Sequence, residues 1–345
     1  MKTRYILFLI MLSTIFIMCD DTEKVVNIEE GVASDFVIDV YDQERASNGT
    51  TLFTYRYDTN NPKIVEVDMD GNIVWQYELG NMLRQYIKYG FDAESLGWGR
   101  VLVMLPACMA MVVNRGGNLT WGYTSDKVSH DVDWLDNGNV IMVFGANDQL
   151  NDMQITEVDQ AEGFVRWQWS ANEHFKEARY MNTYKNGWTG TNAVTRMENG
   201  HTMVCLCNFH LIAELDSLGN VLNKFGEGLL YYPHDPEFLE NGNILVACQK
   251  SPNQDMQANY PALEFNPLTN EVVWKYDNSE WFDTQLTRDA NRLSNGNTLI
   301  TGSTQIIEVT PEGEIVWRLK IKDADLPLES MDLEKRGFYK SQRIY

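Results

Sequence analysis

Residues 231–249 read YYPHDPEFLENGNILVACQ. Two apolar runs flank Asn241-Gly242, and a tight hairpin turn asks both central residues for positive φ, which Asn-Gly accepts at least cost. The stretch is therefore a β-hairpin, with the titratable pair His234-Asp235 just ahead of it. The same element recurs as ASNGTTLFTYR, SLGWGRVLVML, LDNGNVIMVFG, MENGHTMVCLC and LSNGNTLITGS. After each comes a second strand–turn–strand unit: IVEVDMDGNIVWQY, MVVNRGGNLTWGY, QITEVDQAEGFVRWQW, LIAELDSLGNVLNKF, ALEFNPLTNEVVWKY and IIEVTPEGEIVWRL.

The second unit carries Trp75, Trp121, Trp167, Asn223 (in place of Trp), Trp274 and Trp317, at spacings of 46, 46, 56, 51 and 43. Four short antiparallel strands repeated six times at that period predict an all-β chain, a six-bladed β-propeller of four-stranded antiparallel blades. No segment of helical period competes. The tryptophans are expected between blades, where a large ring fills the gap between two sheets. The ring must also close, and the strand-like C-terminal segment GFYKSQRIY, residues 337–345, is expected to return to the first blade.

The first residues have another task. MKTR is a cationic start and YILFLIMLSTIFIM an apolar run of 14 residues, too short for a comfortable span and suited to a secretory signal. Cys19 follows and resembles a bacterial lipoprotein attachment site, although Met18 stands where such sites carry a small side chain. Lipid attachment, ordinary signal cleavage and an uncleaved anchor are the alternatives. The expected layout is a signal peptide over 1–19, a lead-in over 20–39 and the propeller over 40–345, in an exported, periplasmic or outer-membrane-associated protein.

The 345 residues are 44% hydrophobic with a formal net charge of −21, spread along the chain. Such a surface repels nucleic acid and anionic lipid, so no nucleic-acid partner is expected, and membrane contact only through a lipid anchor. Cys108, Cys205, Cys207 and Cys248 show no metal-ligand spacing, so no metal site is expected and the four read as small buried residues.

Counting back seven residues from each turn Asn or its equivalent isolates one column: Tyr41, Phe91, His130, Asn192, His234 and Arg288. The next residue is Asp42, Asp92, Asp131, Ala193, Asp235 or Asp289. Both columns should open the innermost strands, beside the central channel. The repeated Asp reads as a structural acceptor for backbone amides. The variable column reads as a site that gathers two imidazoles, a guanidinium, a carboxamide, a phenol and a phenyl ring. Lys250, two residues past the second strand of the His234 hairpin, could join it. Tyr231, Tyr232, Trp281 and Phe282 could form an aromatic pocket or pack as loop residues. His174, His201 and His210 lie outside the column. The segment over 171–190, which carries the extra length before the fourth repeat, could cover the channel mouth.

HDPEFLENGNILVACQK, RDANRLSNGNTLITGSTQIIEVTPEGEIVWRL and HDVDWLDNGNVIMVFG resemble the bacterial arylsulfotransferase family, over roughly residues 40–320. That resemblance implies transfer of a sulfuryl group from an aryl sulfate to a phenol, with no nucleotide donor or other cofactor. It further implies a histidine nucleophile and a sulfohistidine intermediate at the channel mouth. His130 and His234 match the family's positions, without fixing which one attacks. Arg288 stands where a third histidine is expected, and its chemistry suits it to hold anionic oxygens. On this reading His234, His130 and Arg288 are catalytic, and Lys250, Asn192, Tyr41, Phe91, Tyr232 and Trp281 contact the substrate. The alternative is a propeller that binds a ligand or partner without catalysis, having lost the full histidine set.

Overall fold

A computed structural model describes residues 35–56, 62–84, 91–145, 147–181, 183, 187–251, 260–322, 324 and 337–345. The signal-peptide and lipid-attachment expectations lie outside the described residues. Six antiparallel sheets form the ring. Strand β1 (Phe36–Tyr41) comes first; β2 (Thr50–Tyr55), β3 (Lys63–Val67) and β4 (Ile73–Glu78) belong to blade 1. Blade 2 holds β5 (Asp92–Gly97), β6 (Arg100–Leu105), β7 (Met109–Asn114) and β8 (Leu119–Thr124). Blade 3 holds β9 (Val132–Trp134), β10 (Asn139–Val143), β11 (Ile155–Asp159) and β12 (Val165–Trp169). Blade 4 holds β13 (Thr191–Arg196), β14 (Thr202–Leu206), β15 (Leu211–Leu215) and β16 (Val221–Phe225). Blade 5 holds β17 (His234–Phe238), β18 (Ile244–Ala247), β19 (Ala262–Phe265) and β20 (Val272–Tyr276). Blade 6 holds β21 (Asp289–Arg292), β22 (Thr298–Thr301), β23 (Gln305–Val309) and β24 (Ile315–Ile321), and β25 (Phe338–Ile344) ends the chain.

The chain closes as expected, because β25 is the innermost strand of blade 1, in the order β25-β2-β3-β4. It passes so near blade 6 that a Cβ at Gly337 would sit 1.7 Å from the Ser303 carbonyl oxygen, and φ there is +93°. Only glycine fits. The opposite end of the ring departs from expectation. Strand β1 adds to the outer edge of blade 6, with Tyr41 opposite Trp317, and so is no part of blade 1.

The hairpin turns also differ from the expected geometry. Gly242 has φ +84° while Asn241 stays out of the left-handed region, and Gly138, Gly200 and Gly296 behave alike. Gly242 donates to the Leu239 carbonyl and Leu239 to the Asn243 carbonyl, both at 2.9 Å. This is a turn with a glycine bulge rather than a two-residue turn, so glycine alone meets the φ requirement.

Five of the six blades are tied to the next by an indole of the outer strand. The indole N–H of Trp75 donates to the Arg115 carbonyl, Trp121 to Gln160, Trp169 to Gly219, Trp274 to Pro311 and Trp317 to Met69, at 2.8–3.0 Å. Every acceptor lies in the turn between the third and fourth strands of the following blade. In blade 3 the bonded indole is Trp169, two residues beyond the marker Trp167. A charge pair reinforces the seam: Glu157, Glu264 and Glu308 meet Arg196, Arg292 and Arg343 of the next blade at 2.6, 2.8 and 3.0 Å, and Glu66 meets Arg115. Each guanidinium also lies over a tryptophan of the preceding blade, at 4.7–5.3 Å. The apolar clusters run between neighbouring blades, as Leu52, Tyr77, Phe91, Val101 and Met111 do between blades 1 and 2.

Candidate functional site

Strand β25 supplies the column position that Tyr41 was expected to fill. Its register on β2 (Gln342 opposite Leu52, Ser341 opposite Phe53) repeats that of β21 on β22 (Asn291 opposite Leu299, Ala290 opposite Ile300). Tyr339 therefore stands where Arg288 does, and Lys340 where Asp289 does. Tyr41 and Asp42 instead sit at the outer edge of blade 6, with Asp42 paired to Arg45 at 2.6 Å. No Asn-Gly turn stands seven residues beyond Tyr339, so the count that isolated the column does not reach Tyr339-Lys340.

The axis of the ring is built around Lys340. Its ammonium lies 2.6 Å from Asp131, 2.9 Å from Asp235 and 3.4 Å from Asp92, which come from blades 3, 5 and 2. Burial opposes that charge, but the three carboxylates outweigh it and hold the ammonium well above its ordinary range. The Asp column does accept amides, as expected, and it does so between blades: Asp131 from Val194 at 2.7 Å and Asp289 from Ser341 at 3.0 Å. Too many carboxylates share one ammonium for all to ionise. Burial drives Asp131 up to about 7, and Asp92 and Asp289 also rise.

His130, His234, Arg288 and Tyr339 gather beside this plug. The His130 and Tyr339 rings are 6.3 Å apart, and the Arg288 guanidinium lies 5.9 Å from the Tyr339 ring. Burial, with Arg288 and Lys340 nearby, lowers His130 to about 4. Burial and Arg288 lower His234 to about 3. Both imidazoles are neutral at pH 7. Burial keeps the Tyr339 phenol protonated. The His234 Nδ1 lies 3.1 Å from the Tyr232 carbonyl. A carbonyl only accepts, so Nδ1 carries the proton and Nε2 the lone pair. Asn192 is buried and donates to the Pro233 carbonyl at 2.9 Å, which steadies the approach to His234.

Strain concentrates here. Of the eight non-glycine residues with left-handed backbone among those described, His130, Asp235, Tyr232 and His210 surround this mouth, with φ of +63°, +46°, +46° and +59°. Each such residue costs roughly 1 kcal/mol or more, and they collect where geometry is imposed for function. His210, which the column comparison set aside, stacks on Tyr231 at 4.7 Å and meets Tyr232 edge-on at 4.8 Å. It reaches the site from the turn between β14 and β15, so no strand-start pattern could reveal it.

Other expected contacts fall elsewhere. Phe91 is 1% exposed and packs between blades 1 and 2. Trp281 is 3% exposed, donates to Thr287 Oγ1 at 2.9 Å and lies under Gly302, where a Cβ would come within 2.7 Å of its ring. Both rings are enclosed by packing. Phe282 packs against the same cluster. Lys250 is exposed and follows Gln249, which donates to the Tyr231 and Thr287 carbonyls beside the mouth. His201 is paired with Glu214 at 2.7 Å. Of the 171–190 segment, the described Phe175, Tyr180 and Trp188 pack together with Phe209. Cys108, Cys205, Cys207 and Cys248 are all free thiols.

On the other side of Lys340 the channel widens into a cavity of about 660 Å³, lined by Glu94, Asp133, Thr195, Glu237, Asn291 and Gln342 among others. Burial and the neighbouring carboxylates push Glu94 up to about 8 and Asp133 well above the usual range. One axis thus has a neutral-to-cationic mouth on one side of the Lys340 plug and, on the other, a cavity lined by carboxyl groups that reaches the hairpin turns at Asn199 and Glu240.

Neither a family model nor a curated protein sequence matches the chain. Solved structures do. A Bacteroides caccae protein described as of unknown function aligns with a TM-score of 0.54 and 18% identity, over 79% of this chain and 94% of that one. A streptogramin B lyase aligns with a TM-score of 0.52 and 13% identity, over 88% of each. At such identities the likeness carries the propeller fold and nothing finer.

Proposed function

We propose that this protein transfers a sulfuryl group from an aryl sulfate to a phenol at the mouth formed by His130, His234, Arg288 and Tyr339. The observation that carries the reading is the fixed tautomer of a neutral His234 beside a guanidinium. With Nδ1–H engaged by the Tyr232 carbonyl, the Nε2 lone pair is the nucleophile. Nε2 attacks sulfur, the sulfur–aryloxy bond breaks, and the aryloxide leaves with the electron pair. The sulfohistidine keeps its Nδ1 proton, so the ring bears positive charge that the carbonyl stabilises, and its nitrogen remains a good leaving group. Arg288 is the group suited to hold the sulfuryl oxygens.

Neutral His130 then accepts the proton of the incoming phenol as its oxygen attacks sulfur and the sulfur–nitrogen bond breaks. The proton on His130 returns through solvent to the first aryloxide, which closes the balance. Tyr339 replaces Tyr41 as the phenol of the site, and Phe91 and Trp281 are left out of it. The test is release of nitrophenol from a nitrophenyl sulfate, expected to accelerate when a phenolic acceptor is added. His234→Ala should reduce the rate by at least about 100-fold. A folded protein inactive on every aryl sulfate tried would favour the second reading, a mouth that binds an anion without turnover. Arg288 at the position of an expected third histidine is what supports that reading.

A further inference from the structure

We infer that His210 is a positioning residue that sets the tautomer of His234 through the backbone of Tyr232. The inference rests on the sulfuryl-transfer reading only for its effect on rate. His210 Nδ1 accepts the Tyr232 N–H at 3.1 Å, and the Tyr232 carbonyl accepts the His234 Nδ1–H, also at 3.1 Å. One residue thus joins two imidazoles, with its donor on one and its acceptor on the other. Tyr232 has φ +46°, a conformation an aromatic residue adopts only when its surroundings impose it.

His210 supplies the imposition. Its ring stacks on Tyr231 at 17° and 4.7 Å, its edge meets Tyr232, and its Nδ1 fixes where the Tyr232 N–H points. Other bonds hold the flanks of the loop: Gln249 donates to the Tyr231 carbonyl, and Asn192 and Cys205 to that of Pro233. His210 holds the Tyr232 N–H, while the Tyr231 ring meets the Tyr232 ring edge-on at 4.8 Å. Burial lowers its basicity, so Nδ1 stays an acceptor at neutral pH. Loss of that acceptor removes the hydrogen bond that fixes the Tyr232 N–H, the backbone relaxes toward negative φ, its carbonyl turns from His234, and the proton can move to Nε2. The nitrogen placed to attack would then have no lone pair.

The experiment uses ring-¹⁵N-labelled histidine in the full chain and reads the His234 tautomer by long-range ¹⁵N–¹H correlation, beside turnover of a nitrophenyl sulfate. Wild type should show Nδ1–H alone. His210→Ala should show protonated Nε2 in a substantial fraction, with kcat down about 10- to 100-fold and KM for the donor little changed. His210→Asn keeps an acceptor oxygen and tolerates left-handed backbone, so it should restore both the tautomer and most of kcat. If His210→Ala is poorly folded, His210→Phe keeps the ring on Tyr231 without the acceptor and should give the same tautomer shift. An unchanged His234 tautomer in folded His210→Ala or His210→Phe overturns the inference. A tautomer shift in a protein that turns over no aryl sulfate sustains the positioning role and rejects the sulfuryl-transfer reading.

Discussion

Replacing Arg343 with Met should loosen the ring at its seam. Arg343 lies on the closing strand β25 and Glu308 on β23 of blade 6, so their ion pair joins the last blade to the first. Both side chains are 0% exposed, the pair is 3.0 Å long, and the guanidinium lies 4.7 Å above the Trp317 ring. The other oxygen of Glu308 accepts from Ser47 N–H and Asn297 Nδ2, each at 2.7 Å. Methionine fills much of the volume but leaves one carboxylate oxygen buried and without its cation. Removing one partner of such a pair costs about 3–5 kcal/mol. Glu308→Gln combined with Arg343→Met removes the orphaned charge and should recover about 2 kcal/mol of that loss. Urea denaturation followed by tryptophan fluorescence measures both. Because β25 also brings Tyr339 and Lys340 to the axis, activity in Arg343→Met should fall with temperature before global unfolding. A single variant within about 1 kcal/mol of wild type, or a double variant no more stable than the single, would refute the argument that this pair clamps the ring.

Three more outcomes follow from the same geometry. Unfolding frees His130 and His234 to bind protons between their ordinary 6.5 and the native values of about 4 and 3, so stability should drop by a few kcal/mol as pH falls through that window; double substitution to Gln should flatten the loss in pH-dependent melts. Glu94 has the opposite sign: its native value near 8 favours the protonated form, so stability falls as pH rises from about 4.5 to 8. Glu94→Gln should therefore stabilise at pH 8 by on the order of 1–3 kcal/mol and little at pH 4. Trp169→Phe, which loses the interblade bond to Gly219, should cost about 1–2 kcal/mol, more than Trp167→Phe, and paired urea melts compare them.

Much of this was legible in the chain. Alternation and the Gly turns give the strands, their period gives six blades, and His130, His234 and Arg288 meet because equal positions in equal blades must. The failures have local causes. An edge strand and an inner strand share the same two-residue alternation, so VYDQERASNG passed for the start of blade 1 although β1 pairs outside β24. Phe91 and Trp281 are aromatic at loop ends, and only the packing partners, such as the bare Gly302 above Trp281, decide that they are core. The Lys340 plug and the His210 contact join segments far apart in sequence, and no spacing encodes them.

The central claim is that His234 Nε2 carries the sulfuryl group in transit. Its most direct test is intact-mass and peptide mass spectrometry of the protein quenched during turnover of an aryl sulfate without acceptor. The account predicts one added SO₃ on the peptide containing His234, chased off by phenol and absent from His234→Ala. An adduct that localises to His130, or one that persists in His234→Ala, would contradict it.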